Sequence, residues 1–147
     1  MRLPAFFLCA QLPLWAAAIP IHFVEQAPGH WVADSRGARV AAHAGVLTLS
    51  DVASRVVLRP IEARLAEFGP AEAVFGVTRA GARPGRWRAS QAVRAEALWP
   101  GVSMVVHGVS GNLEYDFHVS PGADPARIRL RVEGADPRAL DEGLSLG

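Results

Sequence analysis

Lysine is absent from this sequence, and cysteine occurs once, at Cys9. All fifteen basic residues are arginine, set against fourteen acidic residues, for a formal net charge of +1. The two signs are interspersed, so no basic stripe builds up and nucleic acid is not an expected partner. Residues 3–18 form an apolar run, but Pro4, Gln11 and Pro13 interrupt it, and it is short for a membrane span. No segment is low in complexity, and no internal repeat is visible.

What is there begins with a targeting pattern. Arg2 supplies a positive charge, the apolar run follows, and Trp15-Ala16-Ala17-Ala18 closes it. That is the layout of a signal peptide, residues 1–18, cut after Ala18. A lipid-anchored protein needs a small residue before its cysteine; Leu8 precedes Cys9, so Cys9 leaves with the peptide. Residues 19–147 then hold no cysteine, hence no disulfide, thiolate metal site or thiol nucleophile. Their length suits a single β-rich domain whose core needs no disulfide. The expectation is a secreted or cell-surface chain with no membrane span in its mature part.

Short apolar or alternating stretches recur between turn formers. Residues 19–24 and 30–32 are strand candidates, separated by Ala27-Pro28-Gly29. Residues 39–44 and 45–50 read as a hairpin, and residues 53–58 as another strand ending at Arg59-Pro60. Residues 61–68 are ambiguous. Ile61, Leu65 and Phe68 fall at helical spacing, Ile61, Ala63 and Leu65 also alternate, and the all-β surroundings tip the reading to strand. Residues 73–79 and 87–98 are further strands, flanking a Gly/Arg/Pro loop at 80–85. Six to nine short strands at even spacing predict an all-β, antiparallel, sandwich-like domain or an open barrel.

The strongest pattern spans residues 99–134. Residues 102–107 are apolar and β-branched, and Leu113, Tyr115, Phe117 and Val119 alternate with Glu114, Asp116 and His118. Gly108 to Asn112 is a turn-former cluster, so the two runs predict a hairpin turning at Ser110-Gly111. After Ser120-Pro121-Gly122-Ala123-Asp124-Pro125, Ile128, Leu130 and Val132 alternate with arginines. A three-stranded antiparallel meander is the expectation.

This stretch resembles a bacterial secreted domain of unknown function that precedes SBBP-type repeats, themselves predicted to build a β-propeller. Trp99-Pro100-Gly101-Val102, Leu113-Glu114-Tyr115-Asp116-Phe117, Pro121-Gly122-Ala123-Asp124-Pro125 and Ile128-Arg129-Leu130 carry the likeness, with Arg86-Trp87-Arg88 upstream. The resemblance is close over about 50 residues and faint before Arg83. Sequences of that family continue beyond Leu144 and Leu146, where a strand begins, so the resemblance implies a domain incomplete at its C-terminal end. It implies a non-enzymatic structural or interaction module, with propeller repeats or other surface proteins as partners.

Candidate chemistry is thin. With the turn at Ser110-Gly111, His107 faces Glu114 and Val105 faces Asp116, so His107, Glu114, Asp116 and His118 share one face. Imidazoles and carboxylates so placed could hold a divalent cation; the plainer reading is the solvated face of a half-buried strand. No metal or cofactor is expected. Glu114 and Asp116 as a glycosidase pair would lack a cleft. Ser110 lacks the flanking glycine pattern of a nucleophile elbow. Ser50 and Asp51 with a histidine make a triad without supporting spacing. Asp124 caps a tight turn, being too isolated for a calcium loop. Trp31, Trp87 and Trp99 could stack on sugar, although core packing is the commoner fate of tryptophan. Arg127, Arg129 and Arg131 form a positive strand face with Glu114 and Asp116 as neighbours. The alternative to a scaffold is thus a carbohydrate- or metal-binding accessory domain.

Overall fold

A computed structural model describes residues 21–35, 38–78, 86–109, 112–135, 137–140 and 143–146. The signal-peptide segment, Cys9, the loop at 80–85 and the Ser110-Gly111 turn lie outside the described residues. The architecture is all-β, with two antiparallel sheets packed face to face.

The strands are β1 (Phe23–Ala27), β2 (His30–Ser35), β3 (Ala38–His43), β4 (Val46–Ser50), β5 (Arg55–Pro60), β6 (Phe68–Pro70), β7 (Phe75–Thr78), β8 (Arg86–Ser90), β9 (Ala92–Trp99), β10 (Val102–Val109), β11 (Asn112–Val119), β12 (Leu130–Glu133), β13 (Pro137–Leu140) and β14 (Gly143–Leu146). The large sheet runs β12-β5-β4-β3-β2-β1-β8-β7, and the small sheet β11-β10-β9-β6. Strands β13 and β14 form a separate hairpin. Alternation explains the packing. Phe23, Trp31, Ala33, Val40, Ala42, Leu47 and Leu58 point inward from the large sheet and meet Phe68, Val93, Met104, Val106 and Tyr115 from the small one. Two indoles tie the layers internally. Trp31, fully buried, donates from Nε1 to the Phe68 carbonyl at 2.9 Å, and Trp99 donates to the Ile61 carbonyl at 3.0 Å.

Four expectations are corrected. The strand at Leu130 does not extend a meander: β12 pairs with β5 in the large sheet, not with β11. A 3-10 turn at Pro125–Arg127, capped by Asp124 as anticipated, starts this crossing, and Leu130 and Val132 add to the inner face beside Leu58. Residues 61–67 are neither strand nor helix, and only Phe68 joins a strand. They carry the chain from the large sheet to the small one, so their backbone groups find scattered partners: Ile61 N–H with the Arg129 carbonyl, Arg64 N–H with the Leu98 carbonyl. Glu62 takes φ 53° in this crossing. Pro70 is tolerated because β6 is the edge of its sheet.

Residues 87–98 are not one strand either. The chain changes sheets at Gln91, with the buried Ser90 hydroxyl donating to the Ala92 carbonyl at 2.7 Å. Beyond it β9 carries a bulge. Ala95 faces Met104 and Trp99 faces Val102, leaving Glu96, Ala97 and Leu98 opposite Ser103 alone. Ala97 adopts φ 50°, its N–H donates to Ser103 Oγ at 3.2 Å, and Leu98 and Trp99 are consequently both buried. The strand count also exceeds the expected six to nine: fourteen strands are described, with residues 87–98 divided between β8 and β9 and the β13–β14 hairpin added at the end.

The β3–β4 hairpin turns on Ala44 and Gly45, with φ of 49° and 77°. Positive φ at both central positions defines the tight turn that asparagine and glycine favour and alanine does not. Ala44→Asn is therefore expected to stabilise the fold by about 0.5–1 kcal/mol. Gly45→Ala would place its Cβ 2.8 Å from Leu98 Cδ2 and should destabilise by about 1–3 kcal/mol. Denaturant melts of the two variants check both signs.

Candidate functional site

The outer face of the small sheet holds the polar cluster. Met104, Val106, Tyr115 and Phe117 pack into the core, so the alternate residues of β10 and β11 face away from it. The register is the one anticipated for a turn at Ser110-Gly111, with His107 opposite Glu114 and Val105 opposite Asp116, and it also sets Ser103 opposite His118. Val109 pairs with Asn112, leaving only Ser110 and Gly111 between the strands. On the other side of β10, Arg94 of β9 faces Val105.

The geometry selects a pair from the four predicted residues. His107 Nε2 lies 2.9 Å from Asp116 Oδ2, a diagonal contact across the hairpin, with each side chain about a quarter exposed. Asp116 Oδ1 is buried without a hydrogen-bond partner among the described residues. Glu114 and His118 share the face but do not join this pair. No set of three His, Asp or Glu residues among those described is arranged to hold a metal.

A second polar group adjoins the first. Arg94 Nε lies 2.8 Å from Glu96 Oε1, and Ser103 Oγ donates to Glu96 Oε2 at 2.6 Å. Sequence reasoning missed Arg94, Glu96 and Ser103. The alternation of Arg94 and Glu96 with Val93 and Ala95 was visible, but only the β9–β10 register brings them beside His107 and Asp116. The face is thus a set of short-range partnerships: an imidazole–carboxylate pair, an Arg–Glu ion pair and a hydroxyl.

The other candidates resolve individually. Trp31 and Trp99 are buried in the core, the commoner fate of tryptophan, so neither offers an open ring face to a sugar. Trp87 is half-buried on β8, and its indole N–H is buried without a partner among the described residues. Asp51 closes the β4–β5 turn instead of serving a triad: its Oδ1 accepts the N–H groups of Ala53 and Ser54, each at 2.7 Å. Those backbone bonds, Ala53 first, hold its carboxyl below the ordinary 3.8. Arg129 and Arg131 belong to the large sheet's edge region, not beside Glu114 and Asp116. Arg129 lies 3.8 Å from Glu62, and Arg59 lies 3.5 Å from Glu133, exposed pairs of small energetic value. Burial raises the Tyr115 hydroxyl well above the ordinary phenol range. Ser110 lies outside the described residues.

Residues 76–146 match DUF7948, a domain of unknown function. No curated protein and no solved structure matches the chain. The DUF7948 segment contains the whole of β8 to β11 and hence every polar residue of the face just described. It is not an independent layer of the fold. Its β8 pairs with β1 and its β12 with β5, both outside the matched residues.

Two expectations follow. A double-mutant cycle on His107→Ala and Asp116→Ala, read by denaturant melts, should give a coupling of about 0.5–1 kcal/mol, as for partly exposed cross-strand pairs. Because the Asp51 carboxyl is held low in the folded state, its contribution is present above the unfolded value of 3.8 and is lost as pH falls through its folded value. The melting-temperature gap between wild type and Asp51→Ala should accordingly shrink as the melts are taken to pH below that value.

Proposed function

We propose that this chain is an exported, non-enzymatic structural or interaction module of a bacterial cell-surface or secreted protein, working alongside β-propeller repeats. The observation that carries this reading is the pairing on the small sheet's outer face. His107 and Asp116, two of the four residues of the best constellation in the sequence, are bonded to each other, and beside them Arg94 pairs with Glu96, which accepts from the Ser103 hydroxyl. Groups so engaged build a surface with fixed polarity. A general base, by contrast, must reach a substrate proton directly or through one water. The signal-peptide pattern of residues 1–18 supports export.

The test uses the full chain, expressed with a C-terminal tag in a Gram-negative host. The expected outcome is recovery outside the cytoplasm with an intact mass that begins at Ile19. Retention in the cytoplasm with Arg2 still present would overturn the export reading. A panel of oligosaccharides is expected to leave the melting temperature unchanged. A rise that disappears in Trp87→Ala would replace the scaffold reading with that of a carbohydrate-binding accessory domain.

A further inference from the structure

Away from the polar face, two histidines meet on the large sheet. His30 opens β2 and His43 closes β3, one step beyond the Trp31–Ala42 pair of the register. Trp31 and Ala42 face the core, so the two imidazoles stand together on the opposite, outer face. Their ring centroids are 5.2 Å apart with planes inclined at 48°. Tight turns brace both positions: Pro28-Gly29 immediately before His30, and Ala44-Gly45 immediately after His43. Among the described residues no hydrogen bond or ion pair engages either ring, and the two imidazoles contact each other. His107, by contrast, is engaged with Asp116.

We propose that His30 and His43 form a two-imidazole site for a borderline divalent cation, with Cu²⁺ bound most tightly. The spacing carries the argument. With metal–nitrogen bonds of about 2.0–2.1 Å, two imidazole centroids on one ion lie about 4.5 Å apart at the right angle of a tetragonal site and about 5 Å apart at a tetrahedral one, and more as the angle opens. The observed separation therefore matches that of two rings sharing one ion. Imidazole suits copper, nickel and zinc, whereas magnesium and calcium favour oxygen ligands. No third His, Asp or Glu among the described residues completes the set, so water fills the remaining positions. Such a site binds reversibly and lies outside the DUF7948 segment. It is independent of the scaffold reading, which concerns the other sheet.

The experiment titrates the full chain with Cu²⁺, Ni²⁺, Zn²⁺ and Mg²⁺ and reads the melting temperature. Saturating Cu²⁺ should raise it by about 3–6 °C, reversibly on adding a chelator, and Mg²⁺ should leave it unchanged. His30→Ala and His43→Ala should each weaken Cu²⁺ affinity by more than about tenfold, and His107→Ala should not. On the wild-type chain, substoichiometric Cu²⁺ should broaden the His30 and His43 ring resonances first, a readout independent of variant folding. No shift with any of the three transition metals would overturn the proposal. So would a shift that survives both His30 and His43 variants, or one abolished by His107→Ala alone. That last result would place a metal on the small sheet and count against the scaffold reading as well.

Discussion

The hydrogen bond from the Trp31 indole to the Phe68 carbonyl holds the two layers in register. Trp31 lies on β2, in the middle of the large sheet, and Phe68 on β6, at the edge of the small one. A buried tryptophan contributes a large apolar surface and one N–H that must find an acceptor. Here the acceptor belongs to the other sheet, so satisfying the indole also fixes where β6 lies. The bond itself is worth about 1 kcal/mol net, but leaving either group buried and unpaired would cost more. Trp99 repeats the device at the other end of the crossing segment, where its N–H meets the Ile61 carbonyl. A stretch without a β-ladder of its own is thereby anchored by an indole and by the backbone of two neighbouring segments.

The bulge in β9 has a comparable role on the small sheet. Without it, Leu98 and Trp99 would point to opposite faces, and one would be wet. The extra residues, with Ala97 at positive φ, turn both inward and set Glu96 against the Ser103 hydroxyl. One local irregularity thus completes the core and organises part of the polar face. Its energetic cost, an alanine in the left-handed region, is offset by the burial of two large side chains.

Much of the strand content was legible because alternation has a direct physical cause. Leu113, Tyr115, Phe117 and Val119 must share a face, and the Gly-Asn cluster before them gives the hairpin and its register. From that register alone, His107 and Asp116 could be placed on one face. What failed were statements about partners at long range. Leu130 and Val132 alternate as a strand should, yet nothing in alternation says whether β11 or β5 receives them. Residues 61–67 satisfied two periodicities and obey neither, because a segment crossing between layers is shaped by the ends it must join.

The sequence by itself determined the class of the fold, the β10–β11 pairing and the residues available for chemistry. These depend on side-chain period and turn chemistry, which act over a few residues. Tertiary structure decided the sheet order, the crossing at residues 61–67, the bulge and the choice of His107 with Asp116 over the wider set of four. It also brought Arg94 to that face and His30 to His43. Each of these depends on strands distant along the chain finding one another, and only the shared core that both sheets must cover specifies those meetings.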